Sequence, residues 1–515
     1  MKSIPVIDLF AGPGGLGEGF SAVNKKNRKF NIVLSIEKDE YAWQTLKLRS
    51  FFRHFEGKKI PADYYKFLRN EITLEELYKK YPEAKNKADK TAMLATLGKT
   101  DEKFIDTKIR KALKGTRDWV LIGGPPCQAY SIASRVRNST DNGLDEKDER
   151  VYLYREYYRI LAVHNPAVFI MENVKGLLSS KLRDELLFEQ ILNDLGAPAQ
   201  AYKNLRRTKI KNLKCPGYNL YSLVNKTKNA EKKEVNDYSA SDFVIQSEKF
   251  GIPQKRHRVI ILGIRKDFRI QNVPQLVESD PVPVQKVLAG LPALRSGLSQ
   301  SEDNLVDWKN EILDLLKYSF LNKNDSLPSL HVKNIINKIK SSADNRGNNF
   351  LKFKSDIDYK RKWFLDSRIR GVCNHSTRSH LTKDLYRYLF ASCFAAVNKK
   401  SPKLNDFPRV LLPKHKNVND GKFIDRFRVI LNHEPSNTIT SHISKDGHQY
   451  IHPDPVQCRT LTVREAARIQ TFPDNYFFCG PRTSQYAQVG NAVPPLLANQ
   501  IAEIVMNIVI KNSFR

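Results

Sequence analysis

The sequence predicts an α/β fold with a parallel sheet and crossover helices, and three observations predict it. Short apolar runs recur at residues 4–11, 33–36, 119–122, 167–171 and 259–263. Helix-patterned stretches separate them, the first starting near Glu18. Glycine, proline or acidic residues follow directly after the runs, where parallel sheets place ligands. These are Gly12-Pro13-Gly14-Gly15, Glu37, Gly123-Gly124-Pro125-Pro126 and Glu172-Asn173. Each run has strand length, and the buried strands of such sheets read as continuous apolar segments.

The chain has 515 residues, enough for two to three domains. Its 86 Lys and Arg against 55 Asp and Glu give a formal charge of +31. That excess suits a polyanion, with nucleic acid the obvious candidate, although lysine-rich composition also serves solubility. The six cysteines, Cys127, Cys215, Cys373, Cys393, Cys458 and Cys479, are too sparse for a disulfide framework. They suggest a reducing, cytoplasmic setting. No run of about 18 apolar residues and no secretory leader pattern is present, so neither a membrane span nor export is expected. The cluster Cys373, His375 and His380 lacks a second half at zinc-site spacing, and no metal is expected.

The α/β rhythm is interrupted at about 50–115, where the charged run 73–90 predicts an inserted helical segment. Residues 203–233 are basic, with Arg206, Arg207, Lys209, Lys211 and Lys214. They read either as a solvated loop or as a contact to a phosphate backbone. From about 290 the rhythm fades into a polar, basic stretch with Lys333, Lys338, Lys340, Lys352, Lys354, Arg361 and Lys362. Phe350, Phe353, Tyr359 and Trp363 are interleaved with these. The division expected is 1–289 for the first domain with its helical insertion, 290–455 for a second, and 456–515 for a segment returning to the first.

Four constellations carry chemistry. In Asp8-Leu9-Phe10-Ala11-Gly12-Pro13-Gly14-Gly15-Leu16-Gly17 the glycines let backbone approach a ligand at a helix start. Glu37 ends the next strand, about 20 residues on, where an acid can accept both hydroxyls of a ribose. Together they suggest an adenosine-containing cofactor. Gly123-Gly124-Pro125-Pro126-Cys127-Gln128 is a stiff loop after a strand, a suitable mount for a nucleophilic thiolate. Glu172 offers a carboxyl that can hold a proton in a pocket. In Gln254-Lys255-Arg256-His257-Arg258, strand alternation predicts Arg256 and Arg258 on one face, with Gln254 beside them. Two guanidinium groups there can orient an acid and donate to a carbonyl. Taken singly, an acid and an arginine pair more often make a salt bridge.

In order and wording these motifs resemble the DNA (cytosine-5)-methyltransferases of bacterial restriction systems. The resemblance covers residues 4 to about 60, 115–185 and 240–265. It resumes at Arg459-Thr460-Leu461-Thr462-Val463-Arg464-Glu465-Ala466-Ala467-Arg468 and at Gln488-Val489-Gly490-Asn491-Ala492-Val493-Pro494-Pro495. It implies a Rossmann-like S-adenosylmethionine-dependent methyltransferase domain and a smaller, mostly β or irregular target-recognition domain. Phe10, Gly12 and Gly15 would line the S-adenosylmethionine pocket, Glu37 would take the ribose hydroxyls, Leu153 would pack on the adenine and Asn491 would close the pocket. The family's acid near the adenine amino group is blurred by the insertion, with Asp106 as a candidate. Cys127 would attack carbon 6 of a flipped cytosine, Glu172 would serve ring nitrogen 3, and Arg258 aided by Arg256 would bind the carbonyl at carbon 2. The implied partner is double-stranded DNA, the implied state a monomer, and the implied companion a restriction endonuclease. Segment 436–442 reads as a recognition loop or as a core strand, and 374–378 as a DNA contact or as loop structure. Two other readings use the same residues: methylation of transfer RNA, and nucleic-acid binding by a dead site.

Overall fold

The computed structural model describes residues 2–55, 59–126, 153–182, 185–206, 213–225, 238–268, 270, 272–300, 302–322, 326–340, 344–413 and 424–512. Its first part runs β1 (Lys2–Leu9), α1 (Gly15–Ser21), β2 (Arg28–Glu37) and α2 (Glu40–His54). Three helices follow, α3 (Ala62–Leu68), α4 (Leu74–Lys80) and α5 (Pro82–Thr91). Then come β3 (Ala92–Leu94), α6 (Glu102–Leu113), β4 (Val120–Gly123), α7 (Leu153–His164) and β5 (Val168–Val174). Helices α8 (Leu187–Gly196) and α9 (Pro198–Arg206) lead to β6 (Tyr218–Tyr221), β7 (Val244–Gln246), β8 (Gln254–Lys255) and β9 (His257–Arg265).

The central sheet has the order β7-β9-β5-β4-β1-β2, with β3 added beside β2 and β6 beside β9. Strands β1 to β5 are parallel, as the apolar runs predict. β9 is the exception and runs antiparallel to β5, pairing Arg258 with Val174 and Ile260 with Glu172. The reversal has a consequence for the site. An antiparallel neighbour brings the start of β9 to the carboxyl end of β5, the edge where ligands sit in such sheets. One face of the sheet packs on α1 and the C-terminal helices, with Val6, Phe20, Ile122 and Ile260 buried. The other packs on α6, α7 and α8 through Leu9, Ile109, Tyr157 and Ile191.

The insertion is helical, and local chemistry starts its helices. The Asp39 side chain accepts the Ala42 amide at 2.8 Å, and Thr73 with Glu76 forms a capping box at α4. Phe51, Phe52, Tyr64 and Tyr65 from α2 and α3 build an aromatic cluster that reaches Ile369, Cys373 and Cys479. The chain rejoins the sheet at Ala92, which pairs with Ser35.

Residues 290–455 combine irregular chain, two-stranded ladders and short helical turns with the longer helices α10 (Leu305–Asp314), α11 (Leu327–Ile339) and α12 (Thr382–Asn398). The ladders include β10 (Gly347–Lys352) with β11 (Gly371–Ser376), and β8 with β12 (Ser436–Asn437). The helices bury Trp308, Val332, Ile336, Leu385 and Leu389 in a core of their own. Ile357, Phe364, Ile430 and Ile439 instead join the main core.

The chain ends in α13 (Val463–Ile469), α14 (Arg482–Asn491) and α15 (Pro495–Asn512). α15 is long and apolar, but Ile501, Ala502, Val505 and Met506 are buried in the core beneath the sheet. Around α13 three arginines are fully buried, each with an acid or carbonyls. Arg459 grips Glu465 with two bonds of 2.6 and 2.7 Å. Arg464 donates to the carbonyls of Cys373, Pro473 and Tyr476, and Arg468 grips Asp474. Burial alone would raise the Glu465 pKa, but Arg459 beside it holds that carboxyl well below its ordinary range. Removing one partner strands a buried charge. Glu465→Ala is therefore expected to cost about 3–5 kcal/mol in urea unfolding.

The rings of His375 and His452 are buried, and burial holds both pKa values down to about 4. Unfolding releases each ring to its ordinary value near 6.5. Between those values the unfolded chain binds more protons, so stability is full above about pH 6.5 and is lost as pH falls toward 4. His375→Asn should flatten that loss by about 1.4 kcal/mol per pH unit, read from denaturant midpoints across the range.

Candidate active site

The carboxyl edge of the sheet gathers the ends of β1, β2, β4 and β5 with the start of β9. Glu172 lies next to the end of β5. Arg258 Nε meets its Oε1 at 2.9 Å, and both side chains are mostly enclosed. In the ladder the two residues are diagonal neighbours on one face, within reach of a long side chain. Arg258 also donates to the His257 carbonyl at 2.8 Å, which fixes its head.

Arg256 is buried more deeply than Arg258, with both Arg258 and Glu172 among the charges acting on it. The chain breaks between β8 and β9, where the Arg256 amide donates to the Gln254 carbonyl at 2.9 Å. That turn sends the Arg256 side chain into the interior, where Nη1 donates to the Ile439 carbonyl at 2.8 Å. The hydrogen bond to the acid therefore comes from Arg258, and Arg256 braces segment 438–440.

The glycine-proline loop is anchored against the same acid. A Cβ on Gly124 would lie 2.7 Å from Glu172 Oε2, so a side chain there would have to displace the carboxyl that Arg258 holds. Asn173, absent from the expected site residues, donates from Nδ2 to the Pro125 carbonyl at 3.3 Å. Cys127 itself, one residue past Pro126, lies outside the described residues, as do Gln128 and the stretch up to 152.

On the other side of the edge, Glu37 ends β2. Its Oε2 accepts the Gly12 amide at 2.8 Å and its Oε1 the Asp39 amide at 2.9 Å. Each carboxylate oxygen keeps a second acceptor position, a pattern suited to two neighbouring hydroxyls. Phe10 and Gly12 hold the loop in left-handed backbone, φ 53° and 55°, and nothing lies within 4 Å of a Cβ built on Gly12. Gly15 has a different duty. A Cβ there would sit 2.2 Å from the Val493 carbonyl, so α1 lies directly against the closing segment. Asn491 ends α14 beside that contact and is exposed. Leu153 opens α7 over Gly98, in the turn after β3. Beneath the loop, the Asp8 carboxyl is buried, which pushes its pKa up to about 8. Asp106 is placed elsewhere: on α6 it accepts from Arg159 and His164, both at 2.9 Å, away from the end of β3.

Burial bears on two further expectations. Asn374 exchanges bonds with the Phe478 backbone, His375 meets Thr462, and Arg378 donates to Lys445 and Ile443. Stretch 374–378 is thus interior bracing. In 436–442 only Ser436 and Asn437 form a strand, Ile439 is buried, and a 3-10 turn starts at Ser441. Of the basic stretch near 210, Arg207, Lys209 and Lys211 lie outside the described residues.

The model of the C-5 cytosine-specific DNA methylase family matches residues 4–72, 82–204 and 219–507. The chain is 31% identical to the type II methyltransferase M.Bpa9945I of Bacillus paralicheniformis, over 98% of this chain and 99% of that one. It is 28% identical to the DNA (cytosine-5-)-methyltransferase M.ApeKI of Aeropyrum pernix, over 77% and 82%. It is also 23% identical to the type II methyltransferase M.DdeI of Desulfomicrobium norvegicum, over 97% and 87%. A prophage-encoded E. coli protein, crystallised as a candidate DNA modification methyltransferase, shares the fold with a TM-score of 0.50 at 18% identity, over 98% of this chain and 99% of that one. With that family model spanning most of its length and a relative at 31% identity along nearly all of it, the chain belongs to the C-5 cytosine-specific DNA methylases and is a DNA (cytosine-5-)-methyltransferase.

Proposed function

We propose that the protein transfers a methyl group from S-adenosylmethionine to carbon 5 of a cytosine flipped out of a specific duplex sequence, protecting that DNA from a cognate restriction endonuclease in a bacterial cytoplasm. The observation that carries this reading is the Glu172–Arg258 pair at 2.9 Å, set against Gly124 of the loop that leads to Cys127.

The cofactor residues fit the group. Gly12 leaves open space at the strand ends, Glu37 presents two acceptor oxygens, and Leu153 offers an apolar cover over Gly98. Phe10 and Asn491 complete the set proposed to line and close that pocket, with Gly15 fixing the closing segment. S-adenosylmethionine supplies, when bound, an electrophilic methyl group.

Carbon 5 of cytosine is a poor nucleophile, and this chain's residues change that. The Cys127 thiolate adds to carbon 6, which moves electron density toward carbon 5. Glu172 holds the proton that ring nitrogen 3 needs as aromaticity is lost. Arg258 fixes that carboxyl and donates to the carbonyl at carbon 2, while Arg256 keeps segment 438–440 in place beside it. Once carbon 5 carries the methyl group and has lost its proton, Cys127 leaves by elimination. A stacked base hides carbon 6, so the base must leave the helix first. The +31 charge supports this, since lysines and arginines hold the phosphates of the opened strand.

Cys127→Ala is expected to abolish methyl transfer to DNA while S-adenosylmethionine binding survives in calorimetry. DNA carrying 5-fluorocytosine should trap the unaltered protein covalently and leave the variant free; a variant with normal methylation would sink the assignment. Glu37→Ala should weaken S-adenosylmethionine binding by about tenfold or more, since two hydroxyl contacts are lost. Unchanged affinity would contradict its role. Nanopore sequencing of DNA from cells expressing the protein reads the modified base and its context together.

A further inference from the structure

Two buried glutamines, Gln254 and Gln470, have no part in the chemistry above. Gln470 follows α13, and both hydrogens of its amide are committed. Nε2 donates to the Val489 carbonyl at 3.1 Å and to the Ala492 carbonyl at 2.5 Å, on either side of Asn491. Its oxygen is left as an acceptor, and Gln254 Nε2 fills it. Gln254 Oε1 then accepts the Ile439 amide at 2.7 Å. The Ile439 carbonyl in turn takes Arg256 Nη1. Flipping either glutamine would set donor against donor or carbonyl against carbonyl, so the direction of the line is fixed.

The surroundings make this line conspicuous. Ile439, Ile469, Phe472 and Val489 around it are buried apolar residues. Two apolar side chains of glutamine's size would fill the same space without desolvating amides. What the amides add is directional constraint, since a buried network holds its members in one arrangement.

We propose that Gln470 is a positioning residue that, through Gln254, keeps segment 438–440 in step with the turn around Asn491. Cofactor binding on one side and duplex binding on the other are then energetically coupled. The proposal rests on the reading that Asn491 closes the cofactor pocket and that segment 436–442 lies beside DNA. Order imposed on the turn by a ligand passes along the line to Ile439, and the segment between Gln254 and Arg256 is ready for the duplex.

The test compares the full-length protein with Gln470→Met and Gln254→Met, which keep length and volume but lose the amide. Two quantities are read: the Kd for S-adenosylhomocysteine alone, and the Kd for a duplex carrying the sequenced target site, with and without saturating S-adenosylhomocysteine. The unaltered protein is expected to bind the duplex about tenfold more tightly with the ligand present, within the usual range of coupling between sites. Both variants should lose most of that factor. Gln254→Met should keep the unaltered affinity for S-adenosylhomocysteine alone, because the bonds of Gln470 to Val489 and Ala492 remain. Gln470→Met should weaken it several-fold. Variants that merely melt earlier while retaining the full factor would overturn the proposal, and so would an unaltered protein with no such factor. If Gln470→Met does not fold, Gln254→Met carries the same test. Failure of the catalytic reading registers separately, as absence of a covalent adduct between the unaltered protein and 5-fluorocytosine DNA.

Discussion

The close approach of α1 to the end of the chain is the constraint on which the glycine-loop side of the site depends. Side chains at Gly15 and Gly19 would run into Val493, Pro495 and Ala498, so the helix touches the closing segment with bare backbone. Asn499 adds a bond from Nδ2 to the Gly19 carbonyl at 3.0 Å. Because α1 is held this way, the loop before it keeps its left-handed turn. Glu37 can then take the Gly12 amide at 2.8 Å. The first and last segments of the sequence form one side of the site together.

The other side is built by sheet topology. Parallel strands alone would leave the start of β9 at the opposite edge from the end of β5. Reversal of β9 brings Arg258 to Glu172, and the turn at Arg256 sends the neighbouring arginine inward to Ile439. One short stretch of sequence thereby serves an acid at the edge and a backbone segment in the interior. Burying Arg256 demands partners, and the carbonyl of Ile439 supplies one. The geometry at Glu172 and the shape of segment 438–440 are therefore mechanically joined.

Much of this was legible in the sequence, for a physical reason. A strand that ends in Gly12-Pro13-Gly14 or Gly123-Gly124-Pro125 carries its own punctuation, so Glu37, Glu172 and the glycine loops fall where local pattern puts them. Properties set by distant pairing were not legible. The direction of β9 depends on β5, almost a hundred residues earlier. The inward turn of Arg256 depends on Ile439. Asp106 looked available until α7 supplied Arg159 and His164. Asn374 to Arg378 looked like a polar surface because nothing local signals Phe478 or Thr462 as partners. The helices at 305–398 are amphipathic, but their charged faces hid the apolar ones among basic and aromatic residues.

The contact between Gly19 and Asn499 joins residues 480 apart in sequence. On a ribosome adding about 5–20 residues per second, the two are separated by roughly 25–100 s of synthesis. Throughout that interval the sheet has neither α15 beneath it nor the closing turn beside its glycine loop. A chain cut short of α15 would thus carry Glu172 and the glycine loop without the segment that packs against α1.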